Sequence, residues 1–270
     1  MPKRIVALTE ETTEWLYLLG QEDKLVGISA YTERPPRAKK EKPVVSAFIG
    51  GHVKKIKALK PDLIIGFSDV QAELARELIS ENLPVLVTNQ RSVQQIMDTL
   101  LMIGRMVGAE KQAQIWLDQC KRRIEGMRSA LPIAIAEQIE QRPKVYFEEW
   151  DDPMISAIEW VGELIEIAGG ENIFADRAAG LASRERYVTL EEVQERAPEL
   201  FIGCWCGKPL DKESVLQRAG FEEVPAIRER QIVEMDPAII LQPGPACLTD
   251  GLDVLSNIMA AHLSKKSATL

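Results

Sequence analysis

Residues 111–141 carry almost no turn chemistry, and this narrows the fold more than any other feature of the chain. Only Gly126 and Pro132 interrupt the stretch, while Ile115, Leu117, Ile124, Met127 and Leu131 recur at helical spacing. Thirty residues of helix would span about 45 Å at 1.5 Å per residue. Pro132 should kink or end it, because proline lacks the amide donor and clashes with the preceding turn; residues 133–139 then resume as a further helical piece. Connections between secondary elements are usually short loops. A helix of this length therefore reads as a strut between two halves.

Both flanks alternate short apolar runs with helical periodicity. In the first, residues 5–8, 25–28, 63–67 and 85–87 read as strands, and 11–19, 53–59, 72–80 and 93–107 as helices. The run 63–67 is almost wholly apolar, the type buried on both faces of a parallel sheet. Tyr31-Thr32-Glu33-Arg34-Pro35-Pro36 must be loop, since consecutive prolines exclude helix and central strand. In the second flank, 144–147, 200–204 and 231–234 read as strands, and 160–168, 190–196, 214–219 and 251–262 as helices. The expected class is α/β with mainly parallel sheets. The expected division is a lobe over 1–108, a linking helix over 109–141, a lobe over 142–262 and a disordered tail over 263–270.

The 270 residues carry 33 Lys and Arg against 41 Asp and Glu, a net charge of −8. No basic surplus exists to displace counterions from phosphates, which argues against nucleic acid. No apolar run approaches the roughly 20 residues that span a bilayer. Met1-Pro2-Lys3-Arg4 leads into only four apolar-rich residues, so no signal peptide is expected. The expectation is a cytoplasmic chain, or a periplasmic one whose export signal was removed. Four cysteines are too few for a disulfide framework in a chain of this size.

Phosphate-loop glycine patterns are absent: Gly50-Gly51 and Gly169-Gly170 are isolated pairs. With two histidines, a Ser-His-Asp or His-rich metal site is not expected; His52 precedes a helix and reads as a cap or a ligand contact. Cys204-Trp205-Cys206-Gly207 follows a strand, and carboxyl ends of parallel strands open onto the crevice where α/β folds bind ligands. A lone C-x-C is weak evidence for metal; Cys204 and Cys206 read first as inert thiols, and Cys247 could join them only through folding. Trp150, at a strand end beside Asp151 and Asp152, is a candidate ligand shelf, whereas Trp160 in an apolar helix reads as core. Glu73 and Glu191 begin helices, where the helix dipole favours acids.

The opening Arg4-Ile5-Val6-Ala7-Leu8-Thr9, then Thr13-Glu14, Gly20 and Val26-Gly27, resembles that of class III periplasmic binding proteins. Tyr31 to Pro36, Leu59-Lys60-Pro61-Asp62-Leu63-Ile64-Ile65 and Phe67 resemble the vitamin B12-binding members. Gly169-Gly170-Glu171-Asn172-Ile173-Phe174 and Tyr187-Val188-Thr189-Leu190-Glu191-Glu192-Val193 match the second half of that family. Glu148-Glu149-Trp150-Asp151-Asp152-Pro153 and Pro243-Gly244-Pro245 look like a branch of cobalamin binders without export signals. The resemblance runs from about residue 4 to 262.

It implies two Rossmann-like lobes joined by one long helix, with the ligand in the cleft between them. It also implies that Glu73 and Glu191 meet arginines of an ABC permease. The expected ligand wall is Tyr31, Phe48, Gly50, His52, Phe67, Trp150, Trp205 and Gly244, apolar shelves with a few polar anchors that suit a planar macrocycle. The expected protein is a monomeric, non-enzymatic binder of cobalamin or another corrinoid, serving an ABC importer or acting as a cytosolic relative. Haem or a ferric siderophore is the alternative ligand, although a wall with few Arg or Lys suits an anionic siderophore poorly. A thiol-dependent enzyme acting on a metal chelate through Cys204, Cys206 or Cys247 is the alternative of another class.

Overall fold

The computed structural model describes residues 1–47 and 49–269. The chain divides into two compact units. The first comprises Met1–Gln90, Gln94–Cys120 and Gln242–Ala246; the second comprises Arg91–Val93, Lys121–Leu241 and Cys247–Leu270. The division thus falls inside one helix, Glu110–Ala130, where sequence placed the whole strut between the lobes. Pro132 ends that helix, and a short helix, Ile133–Glu137, follows.

In the first unit, β1 (Ile5–Ala7), β2 (Leu25–Ser29), β3 (Val44–Ser46), β4 (Leu63–Phe67) and β5 (Val85–Thr88) form one sheet in the order β3-β2-β1-β4-β5. Every pairing is parallel. Ile5, Val6, Ala7, Ile64 and Ile65 are fully buried, as strands covered on both faces require. One face packs Val6, Leu8, Val45 and Ile64 against Ile56, Leu74 and Leu78 from the helices Val53–Ala58 and Ala72–Ser80. Trp15, from the helix Glu10–Leu18, is also fully buried, with its indole N–H donating to Leu100 O at 2.8 Å. The order reverses between β1 and β4. Such a switch point leaves a crevice at the carboxyl ends of the two strands. The sequence pattern gives no strand at Val44–Ser46, because two valines after Pro43 are too short a run to show a period.

In the second unit, β6 (Lys144–Asp151), β7 (Met154–Ser156), β8 (Glu171–Asn172), β9 (Leu200–Gly203) and β10 (Ile232–Glu234) form a sheet ordered β10-β9-β6-β7, with β8 also on β6. All pairings are parallel except β6 with β7. β6 is twice the expected length: its first half pairs with β8, and its acidic second half turns through Asp152-Pro153 into the antiparallel β7. Acidic residues ended the apolar run and hid this half. The core gathers Tyr146, Phe174, Phe201, Trp205 and Phe221, with Tyr146 set edge-on to Phe174 at 5.7 Å and to Phe201 at 5.4 Å.

The last helix, Leu252–Thr269, runs through the stretch read from sequence as a disordered tail. An ion pair between Lys266 and Glu199 at 2.6 Å ties it to the residue before β9. Leu270 lies outside the described residues.

Candidate functional site

Strand polarity places the carboxyl-end rim of each sheet as the candidate site, and each rim is built differently. On the first, the chain leaves β1 through Thr9 into a helix whose first turns carry Glu10, Glu11 and Glu14. Thr9 Oγ1 donates to Glu11 Oε1 at 2.6 Å, while Glu11 Oε2 has no hydrogen-bond partner among the described residues. Burial pushes the Glu11 carboxyl up to about 8, and the neighbouring charge of Glu10 pushes the same way. Burial also raises Glu10.

The segment Gln242–Ala246 lies across this rim. Gln242 donates to Glu10 at 3.3 Å, Ala246 N to Glu14 at 3.2 Å, and Gln90 to Pro243 O at 3.1 Å. Gly244, expected in a ligand wall, faces Glu11: a β-carbon on it would meet Glu11 Cβ at 2.4 Å. Arg34 holds the other oxygen of Glu14 at 2.7 Å. Sequence reasoning missed these three carboxylates; the signal was acidic residues in a first helical turn directly after a buried strand.

The other first-unit candidates separate. Phe67 ends β4 but is only 8% exposed, and its amide donates to Gln71 Oε1 at 3.0 Å. Tyr31, just after β2, is 51% exposed. Gly50 is exposed in the turn that follows β3. His52 stands at the start of Val53–Ala58, exposed, and its side chain makes no capping bond. Phe48 lies outside the described residues. Glu73 is exposed and pairs with Arg76 at 2.5 Å, whose bond holds its carboxyl below the usual range.

On the second unit's rim, the structure brings Trp150 and Trp205 to one group, the Lys208 ammonium. It lies 4.4 Å from the Trp150 ring centroid and 4.6 Å from that of Trp205. Both oxygens of Asp151 accept from it, at 2.7 and 2.9 Å. Burial raises Asp151, but the bond from Lys208, a backbone hydrogen bond and the charges of Lys208 and Arg218 together outweigh it and hold the carboxyl below its ordinary value. Trp205 is 3% exposed. The ring expected to form an open wall is packed inward, its N–H donating to Glu148 Oε1 at 3.1 Å.

Glu148 is fully buried on β6. It also accepts from Tyr146 Oη at 2.9 Å and from both Arg218 terminal nitrogens, at 2.7 and 3.0 Å. Sequence reasoning did not single out Arg218 or Lys208 in this role. Glu191 is exposed in the first turn of Leu190–Arg196, a helix fixed by a capping box between Thr189 and Glu192.

Cys204 and Cys247 are buried and Cys206 is exposed. Burial pushes the Cys204 thiol well above its ordinary value, which leaves it un-ionised and a poor nucleophile or metal ligand. Among the described residues, no group of three or more His, Cys, Asp or Glu could hold a metal ion. Among them also, no helix is long and apolar enough to cross a membrane.

Residues 5–239 match the periplasmic binding protein family. An ABC transporter substrate-binding lipoprotein of Bacillus subtilis, YvrC, is 25% identical over 262 residues, covering 94% of this chain and 79% of its own. The vitamin B12-binding protein of Yersinia pestis is 28% identical over 204 residues, covering 74% of this chain and 69% of its own. The periplasmic haem-binding protein RhuT from Roseiflexus shares the fold, with a TM-score of 0.75 at 23% identity, over 96% of this chain and all of that one.

Proposed function

From the premise that this chain belongs to the periplasmic binding protein family, whose fold is two α/β lobes joined by a long helix, we propose that it captures cobalamin or another corrinoid for an ABC importer. It is a solute-binding protein of that transporter class; the corrinoid is its ligand and not a catalytic cofactor. The observation that carries the choice of ligand is the Trp150 indole on the second unit's rim. It is half-buried at the end of β6 with the Lys208 ammonium 4.4 Å from its ring centroid, a face on which a planar macrocycle can stack, while the buried Trp205 backs the same ammonium at 4.6 Å. Similarity to the vitamin B12-binding protein of Yersinia pestis supports the same ligand.

In this reading Trp150 is the main anchor, and Tyr31, Gly50 and His52 supply the exposed polar and small positions of the first unit's rim. Gly244 serves the strap that covers Glu11, and Phe67 backs the rim from within. Glu73 and Glu191 are the contacts offered to the permease; both are exposed acids on helical first turns. The thiol-dependent alternative draws no support from Cys204 and Cys247, which are buried.

Haem is the second reading, favoured by the shared fold with the Roseiflexus protein. Calorimetric titration of the purified protein with cobalamin, cobinamide, haem and a ferric siderophore separates the two. Saturable cobalamin binding with quenching of tryptophan fluorescence is the expected result. Haem binding without corrinoid binding replaces the first reading with the second.

A further inference from the structure

The second rim carries two tryptophan rings held by hydrogen bonds and one ammonium on a long side chain. Trp150 cannot rotate freely, because its N–H donates to Asp152 O at 2.9 Å. Trp205 is held by Glu148, which is itself clamped by Arg218 and Tyr146. What remains available on Trp150 is its π face; the Lys208 ammonium lies over it and also over the buried Trp205 ring. Lys208 follows Gly207, whose φ of +84° turns the chain after β9. Its side chain is 39% exposed, against 24% for Asp151. A flexible four-carbon stem tipped with a hydrated ammonium is the component of this cluster most easily moved.

Resting on the corrinoid or macrocycle reading above, we propose that Lys208 is a displaceable cover over the Trp150–Trp205 subsite and the residue that selects ligands bearing a peripheral acid. A flat ring that stacks on Trp150, with Trp205 behind it, takes the place of the ammonium. The ammonium swings outward, still tethered by its stem, and exchanges one oxygen of Asp151 for an acidic group on the ligand's edge. Asp151 is not abandoned by this exchange, since Arg218 also acts on it electrostatically. The chemistry recognised is a carboxylate or phosphodiester on the rim of a planar macrocycle. Amide-only or esterified relatives would leave the displaced cation without a new partner and would be disfavoured.

Two arms test this, and the first needs no ligand. Lys208→Ala should raise the acrylamide quenching slope of tryptophan fluorescence, because it uncovers Trp150; circular dichroism checks that the variant remains folded. An unchanged slope overturns the cover. The second arm titrates wild type and Lys208→Met with two ligand pairs: cobalamin and cobinamide, which lacks the phosphodiester, and haem and haem dimethyl ester. The substitution should weaken the acidic member of a bound pair by about tenfold, the scale of one charge-assisted hydrogen bond, and leave the other within about twofold. Added salt should weaken the acidic member in wild type and not in the variant. Equal losses for both members overturn the selection. Failure of all four ligands to bind wild type overturns the proposed function together with the selection, while the quenching arm still decides the cover.

Discussion

Gly244 and Glu11 stand so close that a β-carbon on the glycine would meet the glutamate's own at 2.4 Å and its α-carbon at 3.3 Å. Residues more than two hundred positions apart are thus packed backbone to backbone at the end of β1. Gly244→Ala should cost about 1–3 kcal/mol, the range for overpacking a close contact, measured as a shift of the urea midpoint. A neutral substitution would show that the strap can lift without loss.

Glu11 makes the same region sensitive to pH. Its folded value, about 8, lies above the ordinary 4.5, so the folded chain keeps a proton that the unfolded chain releases. Stability from this group is present in full below about 4.5 and falls as pH rises toward about 8, by at most about 1.4 kcal/mol per pH unit. Glu11→Gln removes that slope. Urea unfolding of both proteins at about pH 5 and about pH 8 should show the variant gaining on wild type at the higher pH. Parallel behaviour would mean the carboxyl is ionised in the folded state.

Glu148 is the common acceptor for three side chains on the second unit's rim. Glu148→Ala leaves Arg218, the Trp205 N–H and the Tyr146 hydroxyl without their common acceptor, at about 3–5 kcal/mol. Glu148→Gln keeps an acceptor and should cost less. Thermal and urea unfolding of the two variants give the order, and equal losses would remove the charge from the argument.

Trp150→Ala should weaken corrinoid binding by about 1–3 kcal/mol if the ring is an anchor. Titration calorimetry measures this directly. Affinity unchanged in the double variant with Trp205→Ala would place the site elsewhere.

Charge reversal at Glu73 and Glu191 should abolish uptake through a permease while leaving ligand affinity intact, because exposed charges at a docking rim orient and steer the partner. Uptake assays in cells and calorimetry on the purified variants check the two halves. Normal uptake by the double variant would remove both residues from the docking surface.

The local pattern of residues determined most of the secondary structure. Leu63–Phe67, Ala72–Ser80 and Leu190–Arg196 begin and end where their apolar periods and flanking turns put them. The helix Glu110–Ala130 was legible for the same reason, since helical spacing and Pro132 are both local signals. The order of specific motifs carried the family.

The tertiary structure alone decided which side chains meet. Strand order and loop course brought Gly244 to Glu11, Arg218 to Glu148 and Lys208 to two tryptophans. A period of 3.6 or 2 reports which face a residue occupies, not what lies across from it. Charged residues are the hardest to place from sequence. Glu11 and Glu148 are buried, and a carboxyl held uncharged and an arginine clamp are what make their places stable; Lys208 stays exposed but is held by Asp151 and two indoles.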